Sequence, residues 1–531
     1  MIDHPPALSE LLTEQGIEAV RVHRVLTALT DGAWWSARDL VRATAVAHRI
    51  VEATLDALGH DLDHRDGRVR LLHPARYTRY TRSEPTDPLA PLLDQQAAAE
   101  LRRLVAEAPR PRTDLDHVTA TAHTALRRGA FLASRFALPG ARLLCVGDHD
   151  LTSLAATLAC PEAEAAVVDI DERMLDYIDT AADRLGLPVR CYFADLRLGL
   201  PAAVQGHCDL AFTDPPYTPE GVELFVRRSL EGLADPRRGR VLVAYGASET
   251  TPGLVAKTQS RLSRMDLVFE AIWPDFNRYL GAEAIGSASD LYVLRPTSRT
   301  IGDGTEAARI YSRGANAKEA AEAFTETDAR SLLRRFQADT AVGAWPRAAL
   351  PGDITHIRLA TWLKSPTGGQ RAVVDLTGGF QALLPRVILA SSAAETHAVV
   401  PANTPEVRDE AGQSALRAMV GPRFDVRFLR GTPGPRTTVV VAHRRGADTA
   451  APADRLLRHC QDRAHGTLTS TLREGLIRIH ADLGRPINKR TARTRVAAAA
   501  PWLSGHTLLD LPAHRFPALR TAVGDLTSGL P

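Results

Sequence analysis

Between about residue 140 and residue 295 the apolar positions follow two alternating rhythms. Short continuous apolar runs at Arg142–Val146, Ala165–Ile170, Val189–Ala194, Cys208–Thr213 and Arg240–Tyr245 read as buried strands. Between them Leu151–Ala159, Asp171–Leu185, roughly Leu196–Val204, and Gly221–Leu233 carry helical spacing. Strands that alternate with helices predict a doubly wound, Rossmann-like parallel sheet over residues 131–315. Right-handed crossovers then bring every strand's C-terminal end to one edge. Two later strands, Leu267–Trp273 and Asp290–Leu294, flank a segment, Asn277–Tyr292, expected to return over that edge.

The flanking regions carry different patterns. In residues 1–82, Glu18–Thr30, a capped start at Ser36-Ala-Arg-Asp39, and Val46–Leu58 predict helices, and the partial alternation of Asp61–Leu72 about Asp66-Gly67 predicts a hairpin. Together they predict a winged helix. Its recognition helix would hold Arg49 as its one permanently basic residue, beside Glu52 and Asp56, which suits phosphate contact poorly and favours a structural or dimerising role. Residues 83–130 are expected to hold a Pro-rich linker and the helices Gln95–Glu107 and Asp114–Arg128. Residues 316–531 repeat an α/β alternation. Strands are expected at Arg371–Leu376, Thr396–Pro401, Asp425–Leu429 and Thr437–Ala442. Helices are expected at Ala317–Phe324, Thr327–Phe336, Phe380–Ala390, Pro405–Val420, Leu456–Ile479 and Phe516–Val523. This predicts a second, degenerate Rossmann-like α/β domain, whose Asp375-Leu-Thr-Gly378-Gly379 is weak evidence for a site. A pseudo-catalytic or oligomerising role is the expectation.

Composition narrows the function classes. Lys+Arg 65 against Asp+Glu 62 leaves a formal charge of +3, so no global field for nucleic acid is implied, and the basic Lys489–Arg495 reads as a solvated face. Cys145, Cys160, Cys191, Cys208 and Cys460 lack paired CxxC spacing and read as core residues of a reducing compartment, with no metal expected. The N-terminal residues lack a basic stretch followed by an apolar one, and no apolar run approaches the ~20 residues that span a bilayer. A cytoplasmic protein without membrane or nucleic-acid partners is expected.

The chemistry gathers at the predicted strand ends. Asp214-Pro-Pro-Tyr217-Thr218 follows the fourth strand, where a carboxylate and a backbone carbonyl would accept N–H bonds from a nitrogen nucleophile with Pro215 and the Tyr217 ring beside it. A plain strand-to-turn corner is the competing explanation. The first strand ends Gly147-Asp148-His149-Asp150, the second Asp169-Ile-Asp171, and the third at Asp195. So many carboxylates at one rim repel each other unless a cation offsets them. Asp169 is placed for ribose hydroxyls, Asp171 for the ligand or a helix cap, and Asp195 for the adenine or a surface turn. The acidic first loop would repel a pyrophosphate, which favours a sulfonium nucleoside over NAD or ATP.

Gly147-Asp-His-Asp-Leu-Thr-Ser-Leu-Ala155, Asp169-Ile-Asp-Glu-Arg173, Asp214-Pro-Pro-Tyr-Thr-Pro-Glu-Gly221 and Asn277–Tyr292 resemble the branched-chain polyamine synthases, also called bis(aminopropyl)spermidine synthases, over residues 1 to about 315. The resemblance implies a fold of the S-adenosylmethionine-methyltransferase type. It also implies aminopropyl transfer from decarboxylated S-adenosylmethionine to an amine of a polyamine such as spermidine, with release of methylthioadenosine, in a homodimer. Asp148, Asp150, Asp169 and Asp214 would then form the acidic site, with Asp214 as proton acceptor. Asp148 and Asp150 would steer the amine, Gly147 would lie at the nucleoside, Tyr217 would wall the channel, and Glu283 would touch the polyamine. His149, at the substrate, replaces the middle Asp of the family's Gly-Asp-Asp-Asp run. That leaves open a donor that keeps its carboxylate, either S-adenosylmethionine in amino-group methylation or 3-amino-3-carboxypropyl transfer to another amine.

Overall fold

The computed structural model describes residues 5–81, 87–246, 251–300, 310, 325–446 and 451–530. The expected helix Ala317–Phe324 and part of the 83–91 linker lie outside them. The chain forms two compact units. One comprises Met1–Val167, Tyr177–Arg190 and Val204–Gly314; the other comprises Val168–Asp176, Cys191–Ala203 and Ala315–Pro531.

The first unit opens with four helices, α1 (Pro6–Gln15), α2 (Ala19–Leu29), α3 (Ala37–Thr44) and α4 (His48–Leu58), and a hairpin of β1 (Leu62–Arg65) and β2 (Arg68–Leu71). Val22, Val25, Leu26 and Leu29 of α2 close a core with Leu40, Val41, Val51 and Leu58. The helical spacing in the sequence encodes this face. Then come α5 (Gln95–Glu107) and α6 (Ala122–Arg135). The expected helix Asp114–Arg128 begins later than its apolar pattern suggests. The Thr121 hydroxyl accepts the Thr124 N–H and caps α6 there, while residues 113–115 make a single 3₁₀ turn ended by Asp116 at φ 56.

The strands β3 (Arg142–Val146), β4 (Glu164–Asp169), β5 (Val189–Phe193), β6 (Leu210–Thr213), β7 (Arg240–Tyr245), β8 (Leu267–Arg278) and β9 (Ala288–Pro296) form a seven-stranded sheet ordered β5-β4-β3-β6-β7-β9-β8. β3, β6 and β7 pair in parallel, and β9 runs antiparallel to β7 and to β8. All of β6 is buried, as parallel strands covered on both faces must be. The helices that follow β3, β4, β6 and β7 are α7 (Thr152–Ala159), α8 (Glu172–Leu185), α9 (Pro219–Gly232) and α10 (Pro252–Arg264). The helix expected over Leu196–Val204 is absent. The Asp195 side chain accepts the Arg197 N–H to start a turn, and Gly199 at φ 125 followed by Pro201 denies helical geometry. The segment Asn277–Tyr292 is not one long loop. Its two ends extend β8 and β9, and only a tight turn remains, with Ala282, Gly286 and Ser287 at positive φ.

The second unit holds α11 (Glu326–Arg335), β10 (Thr340–Val342), β11 (Thr355–Ile357), α12 (Leu359–Lys364), β12 (Arg371–Asp375), α13 (Leu384–Ala390), β13 (Glu395–Pro401), α14 (Pro405–Arg408), α15 (Glu410–Val420), β14 (Phe424–Arg430) and β15 (Thr437–Arg444). It ends in α16 (Pro452–Asp462), α17 (Leu468–Asp482), α18 (Lys489–Ala499) and α19 (Arg515–Thr527). The helices expected as Pro405–Val420 and Leu456–Ile479 are each broken in two. Asp409 leaves helical geometry at φ −137 and caps α15 through the Gly412 N–H, and a bend at residues 463–467 separates α16 from α17.

Its sheet is ordered β11-β10-β12-β13-β15-β14. That is the order β4-β3-β6-β7-β9-β8 of the first sheet without a partner for β5. The matching extends to the strand ends. β3 is followed by Gly147 at φ 70 and β10 by Gly343 at φ 102, and Asp375 ends β12 where Asp214 follows β6. Where the first sheet continues with Asp148-His149-Asp150, the second continues with Ala344-Trp345-Pro346. There the buried Trp345 indole donates to the Val342 carbonyl. The second sheet is thus a Rossmann-like repeat without the acidic loop. Among the described residues no helix is long and apolar enough to cross a membrane, and no cluster of His, Cys, Asp or Glu is arranged to hold a metal.

Candidate active site

α6 lays one face against the sheet, with Thr124, Phe131 and Leu132 buried, and on that same face stands Arg128, itself 1 % exposed. Gly129 permits the approach, because a Cβ there would lie 2.5 Å from the Ala155 carbonyl oxygen of α7. The Arg128 guanidinium reaches the ends of β3 and β6 at once. Nη1 donates to Asp150 Oδ2 at 3.0 Å and Nη2 to Asp214 Oδ2 at 2.6 Å. Nη1 also reaches the Thr152 hydroxyl, and Nε donates to Asn277 Oδ1 at 2.8 Å, over the ring of Phe212. An arginine that must stay charged in a dry site is thereby satisfied on every nitrogen.

Asp214 is held at this point by its own motif. The Thr213 hydroxyl donates to the Val146 carbonyl and ties the end of β6 to β3. The buried Pro215 and Pro216 fix the following backbone, and Thr218 caps α9 through the Gly221 N–H. The Tyr279 hydroxyl donates to Asp214 Oδ2 at 2.7 Å, and the Tyr217 hydroxyl donates to Tyr279 at 3.0 Å. One carboxylate oxygen therefore receives both the arginine and a tyrosine. Burial pushes the Asp214 carboxyl up to about 7, with Arg128 opposing and the neighbouring Asp150 adding to the rise. Burial acts on Asp150 in the same sense, but His149 and Arg128 outweigh it and hold that group well below the ordinary carboxylate range. The two carboxyls are thus driven apart, one kept ionised and one poised to take up a proton near neutrality. Burial and the Asp214 charge together raise Tyr217 and Tyr279 well above the usual phenol range, so both remain donors.

The remaining predicted residues divide. Asp148 is buried, and its two oxygens accept the N–H groups of Thr152 and Ser153 at 2.7 and 3.0 Å, the work of a helix cap for α7. His149 Nε2 lies 2.9 Å from the Val118 carbonyl and 3.2 Å from Asp150 Oδ1, with its ring stacked on His117 at 4.4 Å. Asp169, Asp171 and Asp195 belong to the second unit. Asp169 accepts the Asp171 N–H, Asp171 pairs with Arg173, and Asp195 is paired with Arg197, both nearly fully buried. Glu283 instead bonds Arg38 and Arg42 of α3, because the tight turn carries it toward the N-terminal helices. Arg128 escaped the sequence reading, and Tyr279 entered it only as part of a motif. The available signal was an arginine in the apolar stripe 124, 128, 131, 132 of an amphipathic helix.

Comparison with known proteins bears on this constellation. The family model of the branched-chain polyamine synthase A C-terminal domain matches residues 96–303, which contain Arg128, Asp150, Asp214 and Tyr279. Over these residues the chain is similar to the branched-chain polyamine synthase family. An uncharacterized protein of Methanocaldococcus jannaschii is 36% identical over 189 residues, 36% of this chain and 47% of that one. The N(4)-bis(aminopropyl)spermidine synthase of Thermus thermophilus is 32% identical over 188 residues, 35% of this chain and 49% of that one. That of Thermococcus kodakarensis is 34% identical over 138 residues, 26% of this chain and 39% of that one. The chain thus spans about half the length, or less, of the curated relatives it matches. A crystal structure of the Thermus thermophilus branched-chain polyamine synthase in complex with N4-aminopropylspermidine and 5′-methylthioadenosine aligns with a TM-score of 0.43 at 23% identity, over 60% of this chain and 99% of that one. Within the matched residues the acidic loop after β3 and the Asp-Pro-Pro-Tyr corner after β6 are joined by Arg128.

Proposed function

We propose that this protein transfers an aminopropyl group from decarboxylated S-adenosylmethionine to an amine of a polyamine such as spermidine and releases methylthioadenosine. The observation that carries the proposal is the buried Asp150–Arg128–Asp214 cluster, with one carboxyl held ionised and the other lifted to about 7. A polyamine nitrogen, like lysine with a reference pKa of ~10.4, arrives mostly protonated. It must lose a proton to expose the lone pair that attacks the carbon bound to sulfur. A C–N bond forms, the C–S bond breaks with its electron pair going to sulfur, and the charge moves from sulfonium to ammonium. Asp214 accepts the released proton, and the ionised Asp150 favours positive charge beside it. The Tyr217 and Tyr279 hydroxyls orient the Asp214 oxygen that they and Arg128 share. Asp148 supports the loop by capping α7, and His149 lines it. The carboxylate donor set fits hydroxyls and a cationic sulfonium, and it does not fit phosphate. Asp169 and Asp171 fit the nucleoside side, with Gly147 at positive φ leaving room for the close turn.

The N-terminal helices and hairpin fit a winged helix used for structure or for pairing two copies of the chain. The test incubates the protein with spermidine and either decarboxylated or intact S-adenosylmethionine and identifies products by mass. Methylthioadenosine with a polyamine heavier by one aminopropyl unit is expected, and Asp214→Asn should lower turnover by about 10²–10⁴-fold, the usual worth of a general base. S-adenosylhomocysteine as the only nucleoside product, or unchanged turnover in the Asn variant, overturns the proposal.

A further inference from the structure

We infer that residues 325–530 serve the reaction by holding the two loops that carry Asp169, Asp171 and Asp195, through Arg197 and Arg386 as positioning residues. The inference rests on the aminopropyl-transfer reading only in taking those aspartates as the nucleoside side of the site. Both loops, Val168–Asp176 and Cys191–Ala203, fall in one compact unit with the C-terminal half of the chain. Each is fastened there by a buried arginine.

Arg386, on α13 and 2 % exposed, donates through Nη2 to Glu172 Oε1 and to the Leu511 carbonyl, both at 2.7 Å. Glu172 directly follows Asp171, and its other oxygen accepts the Ala513 N–H at 2.8 Å. The Arg386 guanidinium also lies over the rings of Phe193 and Phe516 at 4.6 and 5.3 Å. Arg197, also 2 % exposed, binds Asp195 through Nε at 2.9 Å and carries Nη2 on to the Gly379 carbonyl at 2.7 Å. Its guanidinium sits 3.8 Å from the Phe380 ring centre. The Phe193 N–H donates to the Asp510 carbonyl at 2.8 Å, and Tyr192 packs on His506 at 4.5 Å.

Gly379 and Phe380 belong to the stretch after β12, which occupies the place of the Asp-Pro-Pro-Tyr corner after β6. Within the second unit, Gly379 and Phe380 thus present a backbone carbonyl and an aromatic face to Arg197. Loops after parallel strands are the natural mobile parts of such a fold, and fixing them beforehand removes an ordering cost from ligand binding.

The full-length protein is titrated with 5′-methylthioadenosine and separately with spermidine. For Arg197→Met the nucleoside affinity should fall about tenfold with the spermidine affinity held within about twofold. Arg197→Lys should recover only part of the loss, because a lysine cannot bridge a carboxylate and a carbonyl in one plane. Phe380→Leu, which leaves the Asp195–Arg197 pair in place, should show a smaller loss of the same kind and serves if Arg197→Met fails to fold. Unchanged nucleoside affinity in the folded variants overturns the inference. If the wild-type protein binds no methylthioadenosine, the functional reading fails instead. Hydrogen exchange at residues 168–176 and 191–203 then decides the positioning role, with faster exchange in Arg197→Met expected and unchanged exchange overturning it.

Discussion

Arg128 makes the pair of carboxyls in the first unit usable. Two buried carboxylates at one rim would repel, and the arginine between them offsets that cost while leaving them unequal. On the proposed reading Asp214 must be ionised to accept the proton, so the acid limb of kcat/KM in a pH profile should lie near 7, where burial places its carboxyl. The Tyr279 hydroxyl donates to the Asp214 oxygen and so favours the ionised form. Tyr279→Phe should therefore move that limb to higher pH, and a limb that does not move would remove Tyr279 from the proton balance. Arg128→Met leaves a buried, ionised Asp150 without its arginine, with His149 and the Ala120 N–H still in place. A loss of about 3–5 kcal/mol in a denaturant titration is expected, together with loss of activity. Glu283, bound to Arg38 and Arg42 at a partly exposed position, lies outside this network. Glu283→Gln should leave turnover unchanged and alter stability by less than about 1 kcal/mol.

The same arginine depends on how closely its helix approaches the sheet. α6 reaches α7 at Gly129, where a Cβ would meet the Ala155 carbonyl carbon at 2.8 Å as well as its oxygen. Backbone cannot rotate away as a side-chain tip can, so Gly129→Ala should push the helix outward and cost about 1–3 kcal/mol, read as a lower midpoint in denaturant. Activity should fall more than stability does, since Arg128 is the next residue. Elements of this kind show how far the chain could be read in advance. β3 and β7 run as their apolar stretches predict, and the neighbouring strands differ by one or two residues, because burial on both faces writes a strand as an unbroken apolar run. Helix breaks were harder to foresee. Asp409 interrupts an apolar pattern by capping, and Gly199 denies a helix by its backbone, and neither leaves a trace in hydrophobic spacing. The short strands β10 and β11, three residues each, fall below what periodicity can detect. At the site, the carboxylates were visible because acidic residues after strands are conspicuous. Arg128 was hidden because its neighbour Arg127 and a polar opposite face make it look like part of a solvated stripe.

Across the whole molecule the two sheets share one order but differ in the fate of the carboxyl at the ends of the matching strands β6 and β12. In the first sheet Asp214 meets Arg128 and Tyr279. In the second, Asp375 is buried at the matching position, and its Oδ1 accepts the N–H and hydroxyl of Thr377 at 2.9 and 2.7 Å. Burial pushes it up to about 6 against those two bonds. Because this folded value lies above the ordinary carboxylate value of ~3.9, the group's favourable contribution is complete below that value and is lost as pH rises through about 6. Among the described residues no basic side chain pairs with Asp375, in contrast to Asp214 with its Arg128. Asp375→Asn keeps an Oδ1 acceptor for both Thr377 donors and removes the ionisation. Thermal unfolding should therefore show the variant equal to the wild type near pH 4 and more stable at pH 8, by about 2–4 °C for each kcal/mol recovered. Activity with polyamine should be unchanged at both pH values. A variant no more stable at pH 8 than at pH 4, relative to wild type, would mean that Asp375 holds its charge at a site of its own.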